Sequence, residues 1–415
     1  MLSGRFPGKR AVRVLAIDRG GLVTALVATS VAQGMATFTL FGLPVLVPFV
    51  AHDLGLPLRV VGWQVGLVYV FAALASVWAG KVVRIAGPAR ATQVALLLGA
   101  VACGALGSAS IPVMAVGSML LGTAYGLTNP AAAVVLGRLA PPSRRNLVFA
   151  VKQMGVPVFA AGAGIILPRL AIHIGWQATM LSVAAVLTLF ALPFSLLRPH
   201  WDTQPPSTAP AAQRSALGLL RESRPMLLLA ILGALYGLVQ VAVAAHTVAM
   251  LVEQFAWGSV AAGAAFGAMQ VVGACARLAW ATLADRTRAG MGVLGVIGIV
   301  AAMAMAFLPL ALTWPQAATV ALLCLLGSAA TGWNGVMIAE SVRIAPPGAA
   351  GAASGAVLAV TFLGAVLGPS GFAMLVAAIG SYATAFALVG LLSAAGAVVA
   401  WQAHRLERRA IAGVS

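Results

Sequence analysis

Acidic residues are almost missing from this chain, with eight Asp and Glu in 415 positions against 25 Lys and Arg. Charged residues of both signs make up only 8% of it and apolar residues 61%, where soluble proteins carry roughly a quarter charged. Such a chain cannot cover a globule with polar surface, so the bilayer is implied as its solvent. Cysteine is scarce too. Cys103, Cys275 and Cys324 all fall in apolar stretches, where they read as small packing residues rather than a disulfide frame or a metal site. There is no Gly-x-x-x-x-Gly-Lys phosphate loop, no His-Glu metal spacing and no Ser/His/Asp arrangement. These absences argue against an enzyme, a resident cofactor or metal, and ATP-driven work.

What is present is length without charge. Twelve apolar stretches can cross about 30 Å of hydrocarbon as helices: 22–50, 60–80, 91–110, 112–137, 147–168, 176–197, 226–252, 259–283, 291–311, 315–339, 350–377 and 381–402. The basic N-terminus runs into a first span too long for a signal peptide's h-region, so no cleavable signal is expected. The net charge of +17 would suggest a polyanion partner in a soluble protein, but the positions of the cations say otherwise. The even set of connecting segments and the two ends hold 21 of the 25 Lys and Arg, while the opposite loops hold only Arg59 and Arg169. By the positive-inside rule both termini face the cytoplasm, and no nucleic acid is expected as a partner.

The chain also repeats itself. Residues 116–142 recur as 321–347 at an offset of 205 positions: Leu121-Gly122 as Leu326-Gly327, Asn129 as Asn334, Arg138 as Arg343, and Ala140-Pro141-Pro142 as Ala345-Pro346-Pro347. An offset near half the length implies two homologous halves, as in transporters built by duplication. The predicted architecture is therefore an all-α membrane protein with two pseudo-symmetric six-helix halves, 1–197 and 226–415. A proline-rich cytoplasmic linker of residues 198–225 joins them.

Several motifs stand where this plan wants them. Ala281-Thr282-Leu283-Ala284-Asp285-Arg286, after the eighth span, resembles the G-x-L-A-D-R signature of the major facilitator superfamily. Its first-half counterpart, Gly80 to Arg90, keeps glycines and the final arginine but has Arg84 where the acid belongs. Glu340-Ser341-Val342-Arg343 is similar to the superfamily's E-x-x-R element, and Val135-Leu136-Gly137-Arg138 is its acid-free equivalent. The resemblance covers the whole chain at the level of topology. It implies twelve helices, alternating access and no enzymatic reaction. It also implies a cytoplasmic gate at Asp285, Arg286, Glu340 and Arg343; the competing reading of Glu340 and Arg343 is a solvated helix-end pair worth under about 1 kcal/mol.

Two cations lie inside spans, Lys152 on the fifth and Arg277 on the eighth, with no acid in their own span. Each costs roughly 2.5–3.5 kcal/mol to insert, so each is a functional candidate. Helices five and eight abut in the superfamily fold, and arginine on helix eight resembles a ligand in its oxalate, monocarboxylate and nitrate carriers. Snorkelling to the nearby cytoplasmic face is the alternative. Gln153 follows Lys152, and Gly155-Val156-Pro157 weakens the helix there, which serves either a site or a bend. Asn129 and Asn334, equivalent in the halves, offer donors and acceptors to a polar substrate or to a neighbouring helix. Gln33, Gln64 and Gln240 add polar points. His246 is the candidate proton-linked residue, being the embedded group suited to titrate near neutral pH. Gly364 and Gly368 read as close-packing positions.

These features lead to a bacterial inner-membrane, multi-pass secondary transporter of a small solute, expected to be an organic or inorganic anion such as a carboxylate. It is expected to work as a monomer in the lipid bilayer. Arginine far outnumbering lysine, with abundant Ala, Gly and Val, fits a GC-rich bacterial genome. Efflux of an apolar compound and a non-translocating, transporter-like receptor are the alternatives. The missing acid on helix one weighs against the first, and the short tails against the second.

Overall fold

The computed structural model describes residues 19–141, 145–202, 220–345 and 350–412, and within them every regular element is a helix. The basic N-terminal segment, most of the expected linker, and the repeated prolines at 142, 346 and 347 lie outside the described residues.

The first crossing consists of two helices, α1 (Arg19–Leu40) and α2 (Gly42–Leu54). Pro44 has no N–H to give Leu40, and the helix steps at Phe41. Next come α3 (Val61–Ala86), α4 (Pro88–Leu106) and α5 (Ile111–Leu139). α6 (Arg145–Ala191) is 47 residues long. A straight helix of that length would run about 70 Å, more than twice the hydrocarbon thickness. Gly175 resolves the conflict with a non-helical φ of 80° that folds α6 into the fifth and sixth crossings. α7 (Phe194–Trp201) ends the first half.

The second half comprises α8 (Arg224–Glu253), α9 (Ser259–Thr287), α10 (Gly290–Phe307), α11 (Gln316–Ala330), α12 (Asn334–Ile344), α13 (Ala350–Ile379) and α14 (Tyr382–Ala412). α11 and α12 together form the tenth crossing, broken at Thr331-Gly332-Trp333. Counted as uninterrupted apolar runs there are eleven spans, but one of them, Val151–Trp201, is the run folded at Gly175. The chain therefore crosses twelve times, as predicted. Three details differ from expectation: spans one and ten are broken rather than continuous, and the loop expected between spans five and six shrinks to the turn at Gly175.

Large apolar side chains such as Val101, Leu189, Leu363 and Leu391 point outward and are exposed, as a lipid-facing surface requires. Inside, helices meet at glycine. A Cβ on Gly122 or Gly126 would run into the α3 backbone at Val68 and Ala72, and one on Gly364 or Gly368 into the α8 backbone at Ala234 and Leu238. The halves touch most closely at the end away from the linker. There Gly164 of α6 meets Gly263 of α9, and Gly62 of α3 meets Pro369 of α13. Across the same interface Phe41 packs on Phe266 at 5.6 Å between ring centroids.

Candidate functional site

Three helix irregularities create the site. Proline at position 157 cannot donate to the carbonyl four residues earlier, so the Gln153 carbonyl is left without its helical partner. The break after Thr331 likewise strands the Thr331 carbonyl at a helix end. Arg277, half-buried on α9, takes both: its Nε donates to Thr331 O at 2.9 Å and its Nη1 to Gln153 O at 3.4 Å. The second contact crosses from one half of the molecule to the other. Pro130 is the third irregularity. It frees the Gly126 carbonyl, which accepts a long 3.5 Å hydrogen bond from Ser76 Oγ and leaves Asn129 just before the disturbed turn.

Lys152 is 2% exposed. Its Nζ donates to Gln33 Oε1 at 3.2 Å and to Asn129 Oδ1. Thr128 Oγ1 also reaches Gln33 Oε1, at 2.8 Å. An ammonium can only donate, so both carboxamides turn their oxygens toward it. Tyr125 lies beside Gln33, Thr37 and Arg277 and closes the cluster from α5. Among the described residues neither cation meets a carboxylate, for the ion pairs there are His52–Asp53 and Arg343–Glu340. Lys152 and Arg277 are thus linked through the Gln153 backbone and Tyr125, and each is held by neutral oxygens.

The sequence candidates divide accordingly. Lys152, Arg277, Asn129 and Gln153 come together, although Gln153 contributes its backbone carbonyl while its side chain is exposed. Asn334 does not join them: its Nδ2 donates to Gln240 Oε1 at 2.9 Å, within the second half. His246 lies near the far end of α8, with Nε2 3.0 Å from Pro369 O. Thr128, Tyr125 and Thr331 were not singled out from the sequence. The Gly332 and Gly335 pair around the break was the available signal for Thr331; nothing local distinguishes Tyr125 or Thr128.

Near the linker end, Glu340 is 7% exposed and accepts from Arg343 Nε at 3.0 Å and from Arg343 Nη2. Its carboxylate lies against Gly290, the first residue of α10. It is therefore a buried acid at a helix N-terminus, not a solvated pair. Asp285 and Arg286 are exposed at the end of α9 and make no ion pair with it. In the first half an acid missed from the sequence does similar work. Asp202 caps α4, with Ala89 N donating to its Oδ1 at 2.8 Å and Arg90 N to its Oδ2 at 3.3 Å, and Arg138 Nη1 donates to Trp201 O at 3.3 Å beside it.

A family model described as Major Facilitator Superfamily matches residues 29–369. Comparison with curated protein sequences returns no match. Among solved structures, the fold is similar to a bacterial homologue of the human lysosomal transporter Spinster in an inward-facing, unoccupied conformation. The TM-score is 0.71 at 16% identity, covering 93% of this chain and 96% of that one. The same homologue in its occupied, inward-facing form gives 0.68 at 15% identity, covering 92% and 95%. A D-xylose–proton symporter gives 0.73 at 16% identity, covering 92% and 97%.

Proposed function

From the premise that the chain belongs to the major facilitator superfamily, and is thus a multi-pass membrane transporter of small solutes rather than an enzyme, we propose that its cargo is a small anion such as a carboxylate. The observation that carries this reading is that Lys152 and Arg277 are both held in the interior by neutral oxygens, with no carboxylate partner among the described residues. Two cations in a membrane interior cost several kcal/mol. Neutral oxygens offset part of that cost, and hydrogen bonds to a charged group contribute about 1.5–3 kcal/mol each. An anionic cargo would complete it. Arg277 keeps unused guanidinium donors for a bidentate grip on a carboxylate, while Lys152 supplies a point charge. Asn129 orients the ammonium, and Asn334 lines the pathway from the second half.

In this reading the six-helix halves, 1–197 and 226–415, rock about the cation cluster, joined by the linker of residues 198–225. The linker face is cytoplasmic, as the 21-to-2 distribution of cations suggests, and the membrane is a bacterial inner membrane. Glu340 and Arg343, with Asp285 and Arg286, gate the cytoplasmic mouth of a monomer.

The test is thermal unfolding of purified protein with acetate, lactate, succinate, nitrate, an amino acid and a neutral sugar, followed by uptake of the stabilising solute in proteoliposomes. Anions should raise the unfolding temperature, since a ligand bound only by the folded state stabilises it. Replacing Arg277 or Lys152 by Gln should remove the shift and the uptake. Stabilisation by the sugar alone, or anion uptake surviving in the double Gln variant, would reject the reading.

A further inference from the structure

Away from the cation cluster, the buried polar group in the most telling place is His246, about two turns from the outer end of α8. Its side chain is 0% exposed. A backbone carbonyl can only accept, so the 3.0 Å contact to Pro369 O requires the hydrogen on Nε2 and leaves Nδ1 as the bare nitrogen of a neutral ring. That nitrogen is buried and has no hydrogen-bond partner. The ring lies against Phe372, 4.7 Å between centroids, and Tyr382, 6.2 Å.

The remaining neighbour belongs to the other half of the molecule. Gly62, in the first turn of α3, comes so near that a Cβ there would overlap both Pro369 O and His246 Nε2. Beside it Ser370 Oγ of α13 donates to Gly62 O at 3.3 Å. His246 is therefore built into the seam that closes the end away from the linker.

Among the described residues the titratable groups around this seam are few. On α8 itself Glu253 accepts from the Tyr382 hydroxyl of α14 at 3.2 Å. Arg59, in the short turn Leu58–Val60, lies beside Tyr382. α2, packed on α8, ends in His52 and Asp53, and Trp176 Nε1 holds Asp53 Oδ2 at 2.7 Å. α3 and α13 bring Gly62, Pro369, Ser370 and Phe372 to the ring, none of which titrates. None of these groups meets Nδ1.

We propose that His246 is a proton-binding site that ties opening of the outer seam to pH. In the closed seam a proton on Nδ1 would place a charge and an unanswered N–H among aromatic rings, which is costly. Separation of α3 from α8 and α13 lets water reach Nδ1, which then takes a proton from the outer solution through its lone pair. The reverse step returns that proton to water as the seam closes. The proton thus binds the outer-open state better than the closed one, and acid shifts the population toward it. One proton changes the ratio of the two states by at most about tenfold per pH unit. Nothing in this seam requires the cargo to be an anion.

The experiment uses the full chain in lipid nanodiscs. The three native cysteines are replaced, and spin labels are set at Ser108 and Thr313, on the outer loops of the two halves. Between pH 8 and pH 5 the wild-type distance distribution should gain its longer component, with a ratio change of up to about tenfold per pH unit. His246→Gln keeps a donor for Pro369 O and cannot titrate, so its distribution should stay at the wild-type pH 8 ratio throughout. His246→Phe serves in its place if the Gln variant does not fold. Gly62→Ala should lengthen the distance at every pH by wedging the seam. Persistence of the pH response without the imidazole would overturn the proposal, as would a flat wild-type response.

Discussion

Replacing Asn129 by Asp puts a carboxylate where the amide oxygen now meets the Lys152 ammonium, and this one change separates binding from stability. At about 4 Å and an effective dielectric constant near 20, two unit charges attract by roughly 4 kcal/mol. Burying the new carboxylate costs several kcal/mol in return, so the net change in stability should be small, within about 2 kcal/mol. The effect on an anionic cargo is not small. The new carboxylate occupies the positive field that the cargo would use. Losing most of a 4 kcal/mol attraction weakens binding by several hundred-fold, at 1.4 kcal/mol per tenfold. Asn129→Leu is the control. It removes an acceptor from a buried cation and should lower stability by about 1.5–3 kcal/mol, while leaving Lys152 free for the cargo. Thermal unfolding with and without succinate and acetate reads both quantities at once. Little change in stability with loss of the anion-induced shift is expected for Asp, and the opposite pattern for Leu. An Asp variant that keeps the wild-type anion shift would refute the cation cluster as the cargo site.

Pro157→Ala restores the N–H that the Gln153 carbonyl lacks, and should draw that carbonyl away from Arg277 Nη1. The long 3.4 Å contact is a weak one, so apparent cargo affinity should fall measurably but by no more than about tenfold, the low end of a hydrogen bond to a charge; an unchanged KM for uptake would show that the carbonyl does not position Arg277. A single cysteine at Gly258, in the exposed turn between α8 and α9, should react with an impermeant maleimide added outside intact cells and not inside inverted vesicles; the reverse would turn the topology over.

The crossings could be read from the sequence because hydrocarbon thickness dictates them, and the signal is summed over some twenty residues each. The halves could be read because duplication left Asn129 and Asn334, and Arg138 and Arg343, in register. The failures were local. Phe41 looks like any apolar residue in a span, and the step there depends on a carbonyl left bare by Pro44. Gly175 was hidden because its effect is a single positive φ between two helices that otherwise read as separated. Lys152 and Arg277 were visible as charges where none should be, and Asn129 and Gln153 as candidates with them, but the contacts that join them were not. Gln33, Thr128 and Tyr125 are unremarkable polar residues in spans. Thr331 and Gln153 act through backbone carbonyls, which carry no residue identity at all. The two equivalent asparagines take different partners, since one serves the ammonium and the other Gln240 on a neighbouring helix.

The duplicated halves share an electrostatic need more faithfully than they share residues. Each has a helix beginning at the linker end, α4 and α10, whose first N–H groups have no helical partner and whose dipole favours an anion there. In the second half Glu340 reaches Gly290 from the following crossing, and Arg343 beside it donates to the same carboxylate. In the first half the position equivalent to Glu340 is Val135, which can do neither. The acid instead arrives from farther along the chain, as Asp202 just past α7, with two backbone N–H donors and the Gly87 turn, at φ 87°, fitted around it. Arg138 remains, but its guanidinium bonds the Trp201 carbonyl rather than a carboxylate, and Arg198 of α7 holds Gln93 of α4. The first-half cap is thereby attached to the start of the chain that joins the halves, whereas the second-half cap sits on the tenth crossing itself. Any movement of α7 must pull on the α4 terminus, as any movement of α12 must pull on that of α10. The two halves are alike in charge at this point and unlike in what they can move.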